Sequence, residues 1–546
     1  MSAANLTAGF EINVNGTTVA PELAQHLIEI RVDDHLRLPD SAVVRFSDPG
    51  LGQIDSHPFA IGAELEIKLG AAGATAVSTV FQGQVLTVEP EFDERGAFIA
   101  ARAYDHAHKL NRSPHTQTYQ DVTIGDVASK AAQRAGLSVG TIDSAGGTHA
   151  FLQQSNETDW DFLWRLASGA DLEVFVREKC LHFRKAGGDA GTPVELTWGK
   201  DLLSFRPRIT GVQQVREVVV RGWDPKTREP IEETVSSVEL ASRPGVTRAS
   251  VVDGAGGGTL TIADRPVTSV AEARALATSV LSHVAQAFVE ADGAAAGNPL
   301  LTAGARIRVK GVGSRYGGDY ALSSTTHVYR GAAGYQTRFH ITGRAERGLL
   351  ELTAAAPRRD WGGGLVVAIV TNNDDPDKFG RIRVRYPSLG DDTEGWWARL
   401  AGPAAGKDRG LMMVPQVGDE VVVGFEQGDV RRPYILGSLW GGDAKPGALV
   451  NTDGSFALMS DKQVQVSAKD AIVIKGEKDL TLEIKGKHEE KADGNVAVES
   501  GQSLTLKAGS SLTIEASSSL EIKCGASSIK VSASGVTVSG PMISLG

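Results

Sequence analysis

His106-Ala107-His108 is the most metal-like spacing in the chain. On a strand, an H-x-H pair puts both imidazoles on one face and can start a zinc-class site. No matching Cys, Asp or His cluster stands nearby, so we expect no metal here. Gly402-Pro403-Ala404-Ala405-Gly406-Lys407-Asp408 has the outline of a phosphate-binding loop. Its spacing is one residue short, and Asp408 stands where Ser or Thr must ligate Mg²⁺. Gly254-Ala255-Gly256-Gly257-Gly258 reads as a flexible loop. There is no G-x-S-x-G nucleophile elbow, and the dispersed Asp and Glu supply no paired carboxylates for glycoside hydrolysis. Arg381, Arg383 and Arg385 give a strand with guanidiniums on one face beside Tyr386, the type of surface that can hold nucleic acid or sugar. The net charge of −10 argues against nucleic acid, and we expect this strand to be structural. The expectation is no enzyme, no catalytic residue, no cofactor and no metal.

The elements that would position such residues point to mechanics. With 546 residues the chain exceeds one core and should form several domains. Hydrophobic residues at 41% and charged residues at 22% are ordinary for a folded protein, while 63 Gly and 6% aromatics suit many strands and turns. Cys180 and Cys524 lie too far apart in sequence to suggest a disulfide framework. The N-terminus has neither a basic segment nor an apolar one, and no apolar run reaches the ~20 residues of a membrane helix. We therefore expect synthesis in the cytoplasm without a signal peptide.

The final ninety-odd residues carry an eight-residue beat. Phe456/Leu458, Val464/Val466, Ile472/Ile474, Leu480/Leu482, Val496/Val498, Leu504/Leu506, Leu512/Ile514, Leu520/Ile522 and Val536/Val538 are each apolar, any residue, apolar. The beat skips at His488 and slips to Ile529/Val531. Two apolar side chains two residues apart share one strand face, and Gly, Ser, Ala, Lys and Asp between them are bend chemistry. Such a repeat buries nothing alone and must wind on itself or with other chains. Leu504, Leu506, Leu512, Ile514, Leu520, Ile522, Val536 and Val538 are the candidate core of that rod. Cys524 keeps the parity of Leu520 and Ile522, so it is expected to face the same way. Lys485–Gly494 replaces an apolar pair with charges; it reads as a solvated loop, or as a bulged loop or wider section that holds water or ions.

Upstream, residues 1 to about 110 read as strands of a barrel or sandwich: Ile28, Ile30 and Val32, then Val43 and Phe46, then Leu65, Ile67 and Leu69. Three helices are expected from Thr123 (Asp126), Thr158 (Asp161) and Ser269 (Glu272), each a cap residue with an acid three positions on. Gly136 and Gly169 should close the first two. Residues 344–361 read as a linker. Six short strand-like segments follow: Leu365–Val370, Gly380–Tyr386, Trp396–Leu400, Gly410–Val414, Val421–Glu426 and Tyr434–Leu439. Their number and size suit a small OB-type barrel.

Thr371-Asn372-Asn373-Asp374-Asp375-Pro376-Asp377-Lys378-Phe379-Gly380-Arg381-Ile382-Arg383-Val384 resembles the start of the OB barrel in phage baseplate and VgrG spikes. Ala398-Arg399, Gly406–Gly410, Pro415–Val423 and Gly428-Asp429 through Trp440 continue that resemblance in order. Phe81–Val85, Ala103–His106 with Leu110, and Glu157–Ala167 are similar to the hub of the same family, the phage late-control-D type. The wording of the barrel is closer to extracellular, phage-tail-like contractile systems than to type VI VgrG chains.

The resemblance implies a mainly β fold with a few helices. It divides into a hub at 1–355 built of β-barrels and helices, an OB barrel at 362–441, a linker at 442–454, and an intertwined trimeric β-helix at 455–546. It also implies a homotrimeric spike, partnered by an inner tube protein, baseplate components and a PAAR-type tip protein, with effector cargo, no nucleic acid, and a target membrane met only on puncture. Pro541, Met542, Ile543, Ser544, Leu545 and Gly546 are the candidate tip-docking face. Some spikes of this family carry a lysozyme between barrel and β-helix. Here Trp440 and Phe456 stand too close for an inserted domain.

Overall fold

The computed structural model describes residues 9–71, 76–145, 147–185, 191–224, 229–263, 265–267, 269–331, 333–342, 363–389, 394–447 and 456–544. The 344–361 linker, Leu545 and Gly546 lie outside them. The chain divides into two compact units, Met1–Val450 and Asn451–Gly546.

The first unit is organised by an eleven-stranded sheet. Its N-terminal part runs through Leu27–His35, Ser41–Ser47, Gly96–Asp105, Ser78–Asp93, Glu64–Leu69 and Phe10–Val14. Its later part runs through Ser324–Arg330, Gly334–Ile341, Val289–Ala296 and Leu202–Ile209. The two parts join where Leu27–His35 pairs antiparallel with Ser324–Arg330. Each part closes over its own core. Ile30, Val32, Val44, Phe46, Leu65 and Ile67 fill the first, and Phe288, Leu301, Ile307, Tyr320 and Phe339 fill the second. The alternation in Glu64–Leu69 follows the sequence, with Leu65, Ile67 and Leu69 inside. In Ser41–Ser47 the buried set is Ala42, Val44 and Phe46, so Val43 faces the other way.

Between the two parts, residues 107–183 form a smaller body of helices and short sheets with its own core. The Ile124–Arg134 helix opens on a reciprocal capping box: Thr123 accepts from the Asp126 amide, and Asp126 accepts from the Thr123 amide at 2.9 Å. Gly136 at φ +67° follows its end. The Asp159–Ala170 helix runs past Gly169, and Asp171 takes the left-handed position at φ 60°. The Val270–Gln286 helix buries Ala273, Leu276, Ala277 and Leu281 against the sheet of Glu217–Asp224 and Glu229–Val235. Among the described residues no helix is long and apolar enough to cross a membrane.

Residues 366–438 form a five-stranded sheet in the order Arg383–Arg385, Val366–Asn372, Glu420–Phe425, Pro433–Ser438, Arg399–Leu400. Ala368, Val370, Ile382, Val384, Tyr386, Val421, Val423 and Ile435 are its core. The expected Gly410–Val414 strand is not formed. Only Arg409–Gly410 pairs, in a hairpin with Ala405–Gly406, and Leu411, Met412 and Met413 stand exposed.

In the second unit, bends fall at 461–462, 469–470, 477–478, 485–486, 493–494, 501–502, 509–510 and 517–518. That is the eight-residue beat of the sequence written into the backbone. It continues without interruption through Lys485–Gly494, so the expected bulged loop is absent. Acidic and basic side chains replace apolar ones there without adding a residue, and the bend spacing depends on residue count rather than polarity.

The slip at the end has a different cause. Ser519–Cys524, Ser527–Ser532 and Gly535–Ser539 form an antiparallel meander. A two-residue turn at Gly525 (φ +55°) reverses the chain. Leu520 then pairs with Val531 and Val531 with Val536, while Ile522 pairs with Ile529 and Ile529 with Val538. Ile529/Val531 is the same apolar pair read backwards.

Candidate functional site

None of the described residues 456–544 is buried in the single chain. Phe456 is 90% exposed, and Leu504, Leu506, Leu512, Ile514, Ile522, Val536 and Val538 are each at least half exposed; Leu520 is half-buried. Residues 456–518 form no helix or strand between their bends and pair with no described strand of the chain. Two demands therefore coincide along this stretch. Its apolar side chains lack a core, and its backbone N–H and C=O groups lack strand partners. Other chains could meet both demands. The candidate tip residues Met542 and Ile543 are exposed as well.

The residues with chemical spacing are taken up structurally. His106 and His108 sit in a 3₁₀ turn, His106–Asn111, rather than on a strand. The His106 ring is buried, and burial pushes its pKa down to about 4 against the opposing pull of Glu64, 3.2 Å away. The His108 Nδ1 lies 2.6 Å from the Asp105 carbonyl. Among the described residues no group of three or more His, Cys, Asp or Glu could hold a metal ion. Gly402–Asp408 belongs to the exposed hairpin, with Asp408 at φ 56°, and Gly254 ends the short Arg248–Gly254 helix, with residues 255–258 in the turn that follows it.

Arg381 and Arg383 of the basic strand are paired with carboxylates. Arg381 grips Asp375 through Nη2 and Nε at 2.7 and 3.1 Å and reaches Asp377 at 2.7 Å; Arg383 meets Glu394 at 2.9 Å. Arg381 and Arg383 lie over the Trp397 ring, and Tyr386 is buried. Asp375 also accepts from the backbone N–H of Asp377, Phe379 and Arg381. Burial raises its carboxyl, but Arg381 and these amides outweigh that and hold it well below the ordinary carboxylate range. The Asp-Pro…Gly-Arg wording is therefore a loop built around one carboxylate, with Lys378 (φ 58°) and Gly380 (φ +72°) making the turn.

One joint escaped sequence reasoning. Glu272, the acid of the Ser269 cap, presents its carboxylate to the barrel: Oε1 lies 3.1 Å from Arg431 and Oε2 3.1 Å from Arg432. Asp429 completes the cluster at 2.7 Å from Arg431 and 3.7 Å from Arg432. Burial raises the Asp429 carboxyl, yet the two guanidiniums bring it below its ordinary value. Gln427 donates to the Ala263 carbonyl at 3.0 Å, and Trp396 stacks on Phe151 with ring centroids 5.6 Å apart. The available signal was the Asp429-Val430-Arg431-Arg432 run, but nothing in it names a partner 160 residues upstream.

A family described as the Alg8 N-terminal domain matches residues 4–330, and the type VI secretion system/phage-baseplate injector OB domain matches residues 366–440. The spike protein VgrG3 of Vibrio cholerae is 34% identical over 105 residues, 18% of this chain and 10% of that protein. VgrG5 of Pseudomonas aeruginosa is 40% identical over 68 residues, 12% of this chain and 9% of that protein. These matches span about a tenth of the curated relatives' length. A solved type VI secretion component of E. coli, described as similar to the T4 bacteriophage tail proteins gp27 and gp5, aligns with a TM-score of 0.50 at 15% identity, over 79% of this chain and all of that one. The likeness is one of fold. The chain belongs to the family of the Alg8 N-terminal domain and joins that domain to the injector OB domain, in the VgrG-like order of hub and barrel.

Proposed function

We propose that the chain is one subunit of a homotrimeric spike in a contractile, phage-tail-like injection machine. Residues 1–355 are its hub, 362–441 its barrel, 442–454 a linker, and 455–546 one strand of an intertwined β-helix. The hub ring meets the inner tube protein and baseplate components. The Pro541–Gly546 end seats a PAAR-type tip protein. Effector cargo travels with the assembly, and the membrane is met on puncture. The role is mechanical rather than catalytic.

The observation carrying this reading is the coincidence of exposed apolar pairs and unpaired backbone along the eight-residue beat of residues 456–518. Winding three chains supplies both missing partners at every level. Burial of apolar area stabilises such a rod by ~25 cal/mol per Å², repeated along its length. Many levels must separate together before the rod opens, so unfolding is slow.

Light scattering on the full-length chain tests the reading, beside a form ending at Gly442. The expected mass is three times 57.5 kDa, and removing the repeat should weaken the trimer. A monomeric full-length chain refutes it. A clearing band on a peptidoglycan zymogram refutes the mechanical assignment.

A further inference from the structure

The skipped place in the beat is occupied by His488 and Glu490. The flanking bends at 485–486 and 493–494 keep the eight-residue phase. His488 and Glu490 therefore hold the positions in their segment that Leu480/Leu482 and Val496/Val498 hold in theirs. Their side chains share one face, with His488 Nε2 3.2 Å from Glu490 Oε1. The intervening residues form a separate ionic ladder on the other face: Lys487 pairs with Glu489, and Lys491 reaches Glu489 at 2.6 Å. The charged stretch is thus two-faced. The Lys–Glu face is satisfied within one chain, and the His–Glu face takes the parity of the apolar core.

We infer that three copies of His488 and Glu490 form an internal binding layer for one divalent cation of the imidazole-favouring class, such as zinc or nickel. The inference rests on the trimeric reading above. A single chain supplies one imidazole and one carboxylate, so the site is incomplete without the other two copies. Winding in register brings three imidazoles and three like-charged carboxylates to the axis, between the apolar levels of Leu480/Leu482 and Val496/Val498. Removing such groups from water without a partner is costly, and adjacent carboxylates repel. A divalent cation neutralises two of the three negative charges. Three ring nitrogens are a ligand set that zinc-class ions accept. The His488–Glu490 contact then orients the ring, as a carboxylate behind a ligating imidazole does. An apolar pair here would have kept the beat; this pair gives the rod a polar layer that metal can lock.

The test uses untagged, full-length protein stripped with chelator, reloaded with zinc or nickel and dialysed. Metal is measured by elemental analysis and mass by light scattering on the same sample. The expected result is a trimer with one ion per three chains. His488→Leu, which restores the apolar beat, should keep the trimer and lose the ion. Glu490→Gln should bind at least tenfold more weakly. A trimer holding less than a tenth of an ion per three chains overturns the inference and leaves the spike reading intact. Equal loading of His488→Leu overturns it by placing the ion elsewhere. A monomer overturns both.

Discussion

Replacing Glu272 by Ala should loosen the barrel from the hub without unfolding either. Two contacts of 3.1 Å join Glu272 to Arg431 and Arg432. At an effective dielectric of ~20, each carries roughly 5 kcal/mol of gross attraction. The side chains are 23%, 28% and 13% exposed, so desolvation and screening offset much of that. Breaking such a cluster leaves two guanidiniums facing each other with Asp429 alone. We expect a net loss of about 3 kcal/mol, at the low end for a buried pair that loses one partner. The Ser269 cap survives, because it uses the Glu272 backbone amide rather than its carboxylate. Hydrogen exchange at the Arg431 and Arg432 amides, which bond to Asp429, reads the joint directly. At 1.4 kcal/mol per decade, about 3 kcal/mol corresponds to exchange roughly 100-fold faster. A change below threefold would refute the reasoning and reduce the cluster to surface pairs. Acid gives the same perturbation by another route. The Asp429 pKa is lowered on folding, so its contribution is present above the ordinary carboxylate range and is lost as pH falls through the depressed value.

Three further outcomes are expected. Leu512→Ser with Ile514→Ser removes one apolar level from all three chains, at roughly 2–5 kcal/mol per large side chain, and should lower the temperature at which the trimer dissociates in SDS; an unchanged temperature would put these residues outside the core. Arg381→Ala should open the Asp375 loop at a cost of about 3–5 kcal/mol, the range for one partner lost from a buried pair, seen as accelerated proteolysis between Asp374 and Ile382; an unchanged cleavage rate counts against it. Asp105 lines one small cavity with Asp34 and Asp40, and burial pushes its pKa up to about 8. An acid raised on folding contributes least cost below its unfolded pKa and most above its folded one, so wild-type stability should fall from pH 5 to pH 8 relative to Asp105→Asn and level off beyond. A stability gap independent of pH across that range would show that Asp105 ionises normally.

The sequence by itself determined what is local. The eight-residue spacing appears as bends in the backbone because residue count and bend chemistry need no distant partner. Thr123, Thr158 and Ser269 cap helices because a hydroxyl three residues before an amide suffices. The Asp375 loop is local too, although its wording was legible only as resemblance until the geometry showed three amides converging on one carboxylate. What the tertiary structure decided is non-local. His106 and His108 share a short turn instead of a strand face because the chain reverses there to pack Ala107 and Leu110 into a core. Gly410–Val414 looked like a strand, but among the described residues its pairing ends where the Leu411 amide meets the Ala404 carbonyl. The pairing of Leu27–His35 with Ser324–Arg330, and the grip of Glu272 on Arg431 and Arg432, join residues hundreds and scores of positions apart. Their side-chain types are common on any surface, and only the folded backbone brings them within reach.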